Sequence, residues 1–166
     1  MSLAAQDKPP SQIVEERAPE DLDALLELWI ASWRATYADI DFDARRGWFV
    51  DRLATLEANG ASTLCLRIGA PPLIKGFVVI DPRTGWLDQI CVHPDQFGAG
   101  AAEALIDAAR RISPEKIRLD VNADNLRAIR FYNREGFVQV GEGALSQSGR
   151  PTVVLEWPAS FPQPPK

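Results

Sequence analysis

Apolar and polar positions along the chain switch between a two-residue and a helical period, and the switches mark the elements. Gln12–Arg17 reads as a short strand. Pro19-Glu20-Asp21 then places a proline and two acids where a helix begins. Leu22, Leu25, Leu26, Trp29 and Trp33 follow at helical spacing to about Ala38. A second helix is predicted over Phe42–Ala58, stopped by Asn59-Gly60. Three extended runs come next, Ser62–Ile68, Ile74–Asp81 and Trp86–Val92. Gly69-Ala70-Pro71-Pro72 and Asp81-Pro82-Arg83-Thr84-Gly85 separate them, which predicts an antiparallel meander. Past His93-Pro94-Asp95 the helical period returns over Ala101–Ile112, with Leu105 and Ile106 facing inward. Lys116–Asn122 is a strand, Asn125–Glu135 a helix, Phe137–Gly141 a strand, Glu142–Arg150 a loop and Thr152–Trp157 the last strand.

The resulting order, β-α-α-β-β-β-α-β-α-β-β, predicts one α/β (α+β) domain over residues 12–157. About seven strands form a single mixed, mostly antiparallel central sheet, flanked by about four helices. Residues 1–11, with Lys8-Pro9-Pro10-Ser11, read as a disordered segment, and 158–166 as a proline-rich tail.

A length of 166 residues suits one domain with a core that needs no disulfide or metal staple. The formal charge of −5, with no Lys/Arg-rich run, argues against nucleic-acid or anionic-membrane partners. No apolar run reaches the length of a membrane span and no signal-peptide core opens the chain, so a cytoplasmic protein is expected, a monomer or homodimer. Cys65 and Cys91 both lie in apolar stretches and read as buried, reduced thiols. His93 is the only histidine and precedes Pro94, which favours a turn role over a zinc site or a catalytic triad. No metal is expected.

The informative segment is a strand ending Gln89-Ile90-Cys91-Val92, a turn through Phe97-Gly98-Ala99-Gly100-Ala101-Ala102, and then a helix. The first amides of such a helix lack internal partners and point outward at the positive end of the dipole. Small residues there let a phosphate approach the backbone, although a tight structural turn uses the same residues. A P-loop is excluded, because Ala101-Ala102 supplies neither the lysine nor the hydroxyl. A Rossmann fingerprint fits poorly: Glu103 holds the third small-residue position, and several elements precede the loop.

This segment resembles the acetyl-CoA-binding motif of the GNAT N-acetyltransferase superfamily, Q/R-x-x-G-x-G/A, with Gly100 and Ala102 at the small-residue positions and Phe97 in place of Gln or Arg. The Val92-His93-Pro94 lead-in is also similar to the family. So is the stretch from Leu119 to Phe137, in which Asn125, Ala128, Phe131, Tyr132, Gly136 and Phe137 fall in the family's register. The resemblance implies a GNAT-like fold and transfer of an acetyl group from acetyl-CoA, as co-substrate, to a primary amine of a small molecule or peptide. Attack is direct, with no covalent enzyme intermediate.

It further implies that Ile90-Cys91-Val92 polarises the thioester through a backbone N–H, that Tyr132 protonates the leaving thiolate, and that Asn125 contacts the pantetheine arm. Asn125 also suits a plain helix cap. Strand parity groups Asp88 with Ile90 and Val92 and makes it the candidate general base, with Glu142 and Asp120 as alternatives. Arg127, Arg130 and Arg134 form a helix stripe, either solvated or, at one position, meeting a coenzyme phosphate. The first two helices and the Glu142–Arg150 loop are expected to wall the acceptor pocket. Trp33 and Tyr37 are candidate substrate contacts there, and Asp39 and Asp41 are candidates for receiving a cation. A noncatalytic acyl-CoA-binding module and a dinucleotide-dependent oxidoreductase stand as alternatives.

Overall fold

A computed structural model describes residues 10–159. The reading of 1–9 and 160–166 lies outside the described residues. Seven strands and four α-helices are present among those described: β1 (Gln12–Glu16), α1 (Leu22–Thr36), α2 (Arg46–Ala58), β2 (Ser62–Ile68), β3 (Leu73–Ile80), β4 (Leu87–Val92), α3 (Ala101–Ile112), β5 (Ile117–Asn122), α4 (Leu126–Arg134), β6 (Val138–Glu142) and β7 (Thr152–Trp157). Most boundaries lie within two residues of expectation. The largest departure is α2, which begins four residues late. Phe42 is pulled into the core at 4% exposure, and a 3-10 turn over Asp43–Arg45 then leads into the helix.

The single sheet of the sequence reading is divided. β1-β2-β3-β4 form one antiparallel sheet and β5-β7-β6 a second. Alternation sorts the first sheet's side chains. Cys65, Phe77 and Cys91 lie in one cross-strand row and pack with Leu25, Trp29, Phe49 and Leu53 of α1 and α2. Leu64, Val78 and Ile90 form the neighbouring row on the opposite face, under Leu105, Ile106 and Ala109 of α3. The second sheet adds Ile117, Leu119 and Leu155 to that same core, with Tyr132 and Phe137.

Among the described residues, a backbone bridge links the two sheets just before β4. Trp86 forms a lone parallel bridge with Arg118, and the Arg118 N–H donates to Gly85 O at 2.9 Å. Gly85 has φ +75°, and a β-carbon there would run into the Lys116 carbonyl oxygen, so the junction requires glycine. Beyond the bridge the strands part. A bulge in β4 adds to the divergence, because Val79 faces Gln89 while Ile80 faces Leu87, leaving Asp88 as the extra residue. The physical reason for two sheets is this local twist, acting where one backbone bridge beside a glycine links the start of β4 to β5.

Candidate functional site

The divergence opens a cleft of about 450 Å³. Its walls are the splayed strands, the inner face of α1, Arg45 before α2 with the Trp48–Arg52 face of that helix, the start of α4 with Tyr132, and the loop at Leu145–Ser148. Of the residues expected from sequence, Asp88, Ile90, Tyr132, Asn125, Trp33 and Tyr37 line it, as does Asp120. The Phe97–Ala102 turn is not among its lining residues and stands past the end of β4, at the entrance to α3.

β4 offers an unpaired edge to the splay. The His93 N–H donates to Lys75 O at 2.8 Å, and the alternation of an antiparallel ladder then turns the Ile90 and Val92 amides away from β3, toward the gap. Cys91 does not join them. Its amide turns toward Phe77 of β3 and its side chain lies in the α1/α2 core, where burial pushes the thiol up to about 12. Val92 reaches the gap through its backbone, since its side chain is in the core.

The turn itself presents open backbone. Gly98 and Gly100 have φ of +76° and +88°, and neither would place a β-carbon within 4 Å of another group, so the space above both is open. Gly100 is the N-cap of α3, whose next amides have no intrahelical acceptors. Phe97, at the position where Gln or Arg is commoner, carries the Arg127 guanidinium over its ring at 4.1 Å. A cation therefore stands beside the turn although the motif residue is apolar. Arg130 and Arg134 are exposed on α4, as a solvated stripe would be. His93 takes the turn role: its Nδ1 accepts the Asp95 N–H at 3.1 Å.

Tyr132 is 6% exposed, held edge-on between Phe131 and Phe137. Burial raises its phenol well above the ordinary value, and nearby Cys91 and Asp120 add to the shift. It keeps its proton at neutral pH. Asn125 caps α4, its Oδ1 accepting the Ala128 N–H at 3.3 Å, which leaves the amide NH₂ as its remaining donor.

The strand-parity argument for Asp88 does not survive the bulge, which offsets the alternation between Leu87 and Gln89. The side chain still reaches the cleft, but it arrives in a two-point ion pair with Arg52 of α2, with Arg52 Nε to Oδ2 at 3.2 Å, and accepts Gln89 Nε2 as well. Asp120 faces this pair from β5. Solvent reaches it, yet the cleft walls thin its hydration, and that desolvation with the Asp88 charge holds its carboxyl above the usual range. No cation pairs with Asp120 among the described residues. Glu142 ends β6 exposed and does not line the cleft.

Trp33 stacks between Tyr37 and Phe42 at centroid distances of 6.0 Å each. The Tyr37 hydroxyl donates to Asp124 Oδ1 at 2.7 Å and accepts Asn122 Nδ2 at 3.0 Å, while Arg150 lies over its ring at 4.3 Å and pairs with Asp124 at 2.6 Å. Tyr37 thus straps the last loop to α1 and β5. Asp39 and Asp41 do not line the cleft: Asp39 lies 3.7 Å from Arg150, and Asp41 accepts the Ala44 N–H.

A sequence model of the Acetyltransferase (GNAT) family matches residues 22–137, more than half of the chain. The chain belongs to this family. A peptidyl-lysine N-acetyltransferase, YjaB of Escherichia coli, is 30% identical over 80 residues, which are 48% of this chain and 52% of that protein. The chain thus spans about half the length of the curated relatives it matches. Apo YjaB in solution superposes with a TM-score of 0.68 at 20% identity, covering 88% of this chain and 95% of that one. The PaiA N-acetyltransferase of Thermoplasma acidophilum, solved with coenzyme A, gives 0.67 at 20% identity, covering 88% and 98%. These superpositions establish a GNAT fold.

Within that fold, the features sequence reasoning missed are on α2 and the 3-10 turn before it. Arg45, Trp48 and Arg52 stand at i, i+3 and i+7 and face the cleft, while Phe49 and Leu53 face the core. The spacing was visible, but nothing in the sequence says which side of α2 meets a cavity. Among the described residues no cluster of potential metal ligands is found, and no helix is long and apolar enough to cross a membrane.

Proposed function

We propose that the chain transfers the acetyl group of acetyl-CoA to a primary amine. The observation that carries this reading is the splay of β4 from β5, with Tyr132 and Asp120 both facing the gap and the Gly98–Ala102 turn at its end. The turn and the α3 amides hold the pyrophosphate, with Arg127 beside them and the Asn125 amide toward the pantetheine arm. The Ile90 and Val92 amides at the free edge of β4 polarise the thioester carbonyl as it becomes an oxyanion.

Asp120 accepts the proton that the ammonium must lose, being the cleft carboxylate without a cation partner among the described residues. Asp88, tied to Arg52, orients that end of the cleft. The amine nitrogen then bonds to the carbonyl carbon, the carbon–sulfur bond breaks as the Tyr132 hydroxyl gives its proton to the thiolate, and the second proton shed by the new amide nitrogen returns to the Tyr132 oxygen.

Tyr132→Phe keeps the ring and its packing while deleting that proton. Single-turnover acetyl transfer should fall by about tenfold or more, the low end of what a general acid supplies, while directly titrated acetyl-CoA affinity stays within about twofold. An unchanged single-turnover rate removes Tyr132 from the chemistry. Acetyl-CoA binding with no turnover on any amine supports a noncatalytic binding module instead.

A further inference from the structure

The acceptor side of the cleft is bipolar, and the arrangement runs from the 3-10 turn before α2 along that helix. Arg52 and its partner Asp88 mark the end where Asp120 and Tyr132 meet. Arg45, seven residues earlier, ends the 3-10 turn that leads into α2 and lies about 10 Å from Arg52 at a helical rise of about 1.5 Å per residue. Between them Trp48, 38% exposed, joins Trp29 and Phe42 in an apolar wall: Trp29 packs against Trp48 at 6.0 Å and edge-on to Phe42 at 5.6 Å.

Arg45 has no carboxylate partner among the described residues. Its Nη1 donates to Ser148 Oγ at 3.0 Å and its guanidinium lies 5.4 Å from the Phe42 ring centroid. The acids nearest in sequence are engaged elsewhere: Asp43 pairs with Arg34 and Arg46, and Asp41 caps Ala44. A guanidinium lining a cleft with one hydroxyl acceptor and an aromatic ring beside it retains donors for a planar anion.

Building on the acetyltransferase reading, we propose that the acceptor is a small amino acid whose amine and carboxylate are held apart by a rigid apolar body. The carboxylate meets Arg45 and Ser148, the body lies on Trp48, and the amine reaches Asp120. An α-amino acid, with both groups on one carbon, is too short to span this distance. A lysine side chain in a peptide brings no anion to Arg45.

The test compares 4-(aminomethyl)benzoate with benzylamine, phenylalanine and a lysine peptide, following coenzyme A thiol release. The benzoate should exceed benzylamine in kcat/KM by about tenfold or more, as a charge-assisted pair provides. Arg45→Gln should shrink that ratio toward one, chiefly through KM. A ratio near one in the unaltered chain, or better use of phenylalanine or the peptide, overturns the proposal. Tryptophan-fluorescence titration with the same two ring compounds separates the two readings. Preferential binding of the benzoate without thiol release upholds the pocket and rejects the transferase. Thiol release with no preference for the benzoate, in rate or in binding, does the reverse.

Discussion

Three carboxylates show how a residue's surroundings, not its type, decide its chemistry. Asp88 sits where a bulge aims it and Arg52 fixes it, so its lone pairs are engaged. Asp120 faces the same gap with its pKa raised by desolvation and by Asp88, which suits a group that must take a proton and release it. Glu142, equally acidic in sequence, ends an edge strand away from the cleft. Asp120→Asn should therefore lower the single-turnover rate by about 100-fold, within the usual range for a general base. The pH profile carries the sign. A base works deprotonated, so the rate should fall as pH drops through the raised Asp120 value, and this limb should vanish in the variant. Stability should move the other way. A carboxyl with a raised native pKa binds its proton more tightly in the folded state, so folding weakens as pH climbs from the ordinary carboxylate value through the native one. Asparagine removes that loss, and Asp120→Asn should melt no lower than the parent at pH 7. A variant with full rate and an unaltered acid limb would exclude Asp120 as the base.

At the level of elements, the turn into α3 depends on backbone geometry more than on any side chain. Gly100 has φ +88° and caps the helix, so every other residue carries a conformational cost there of about 1–2 kcal/mol. A charge effect on phosphate binding must be read against that cost. Gly100→Ala should lower the melting temperature yet keep much of the acetyl-CoA affinity, because open space surrounds the position. Gly100→Glu should bring a similar strain and in addition repel the phosphates, weakening binding well beyond the alanine variant. Equal acetyl-CoA affinities for the two variants would place the phosphates elsewhere. The same elements show what periodicity conveys. Ile106 and Leu105 of α3 are fully buried, as their spacing predicts, and Asn125 caps α4 as its side chain suits. The bulge at Asp88 was not legible, since no glycine or proline marks it and it arises from pairing with β3.

For the whole molecule, acetyl-CoA should stabilise the fold by mass action. At 100 times its Kd it adds about 2.7 kcal/mol, which for a chain of this size raises the melting temperature by roughly 5–10 °C. NADH at the same concentration should not. The reverse pattern would favour a dinucleotide site over the acetyltransferase reading. Turnover should also persist in excess chelator, because one histidine and two buried cysteines offer no metal-ligand set. Loss of activity restored by a divalent ion would contradict this.

Local sequence determined the order of strands and helices, the inward faces of α1 and α3, the glycine turn and the family motifs around Tyr132. Each depends on periodicity, capping or backbone conformation within a few residues. Tertiary structure alone decided that the sheet divides after Trp86, that Asp88 pairs with Arg52, that Asp120 faces them with no cation partner among the described residues, and that Arg45 and Trp48 turn into the cleft. These are relations between residues far apart in the chain, 36 positions from Arg52 to Asp88 and 103 from Arg45 to Ser148. They are set by strand register and helix packing, which no window of local sequence encodes.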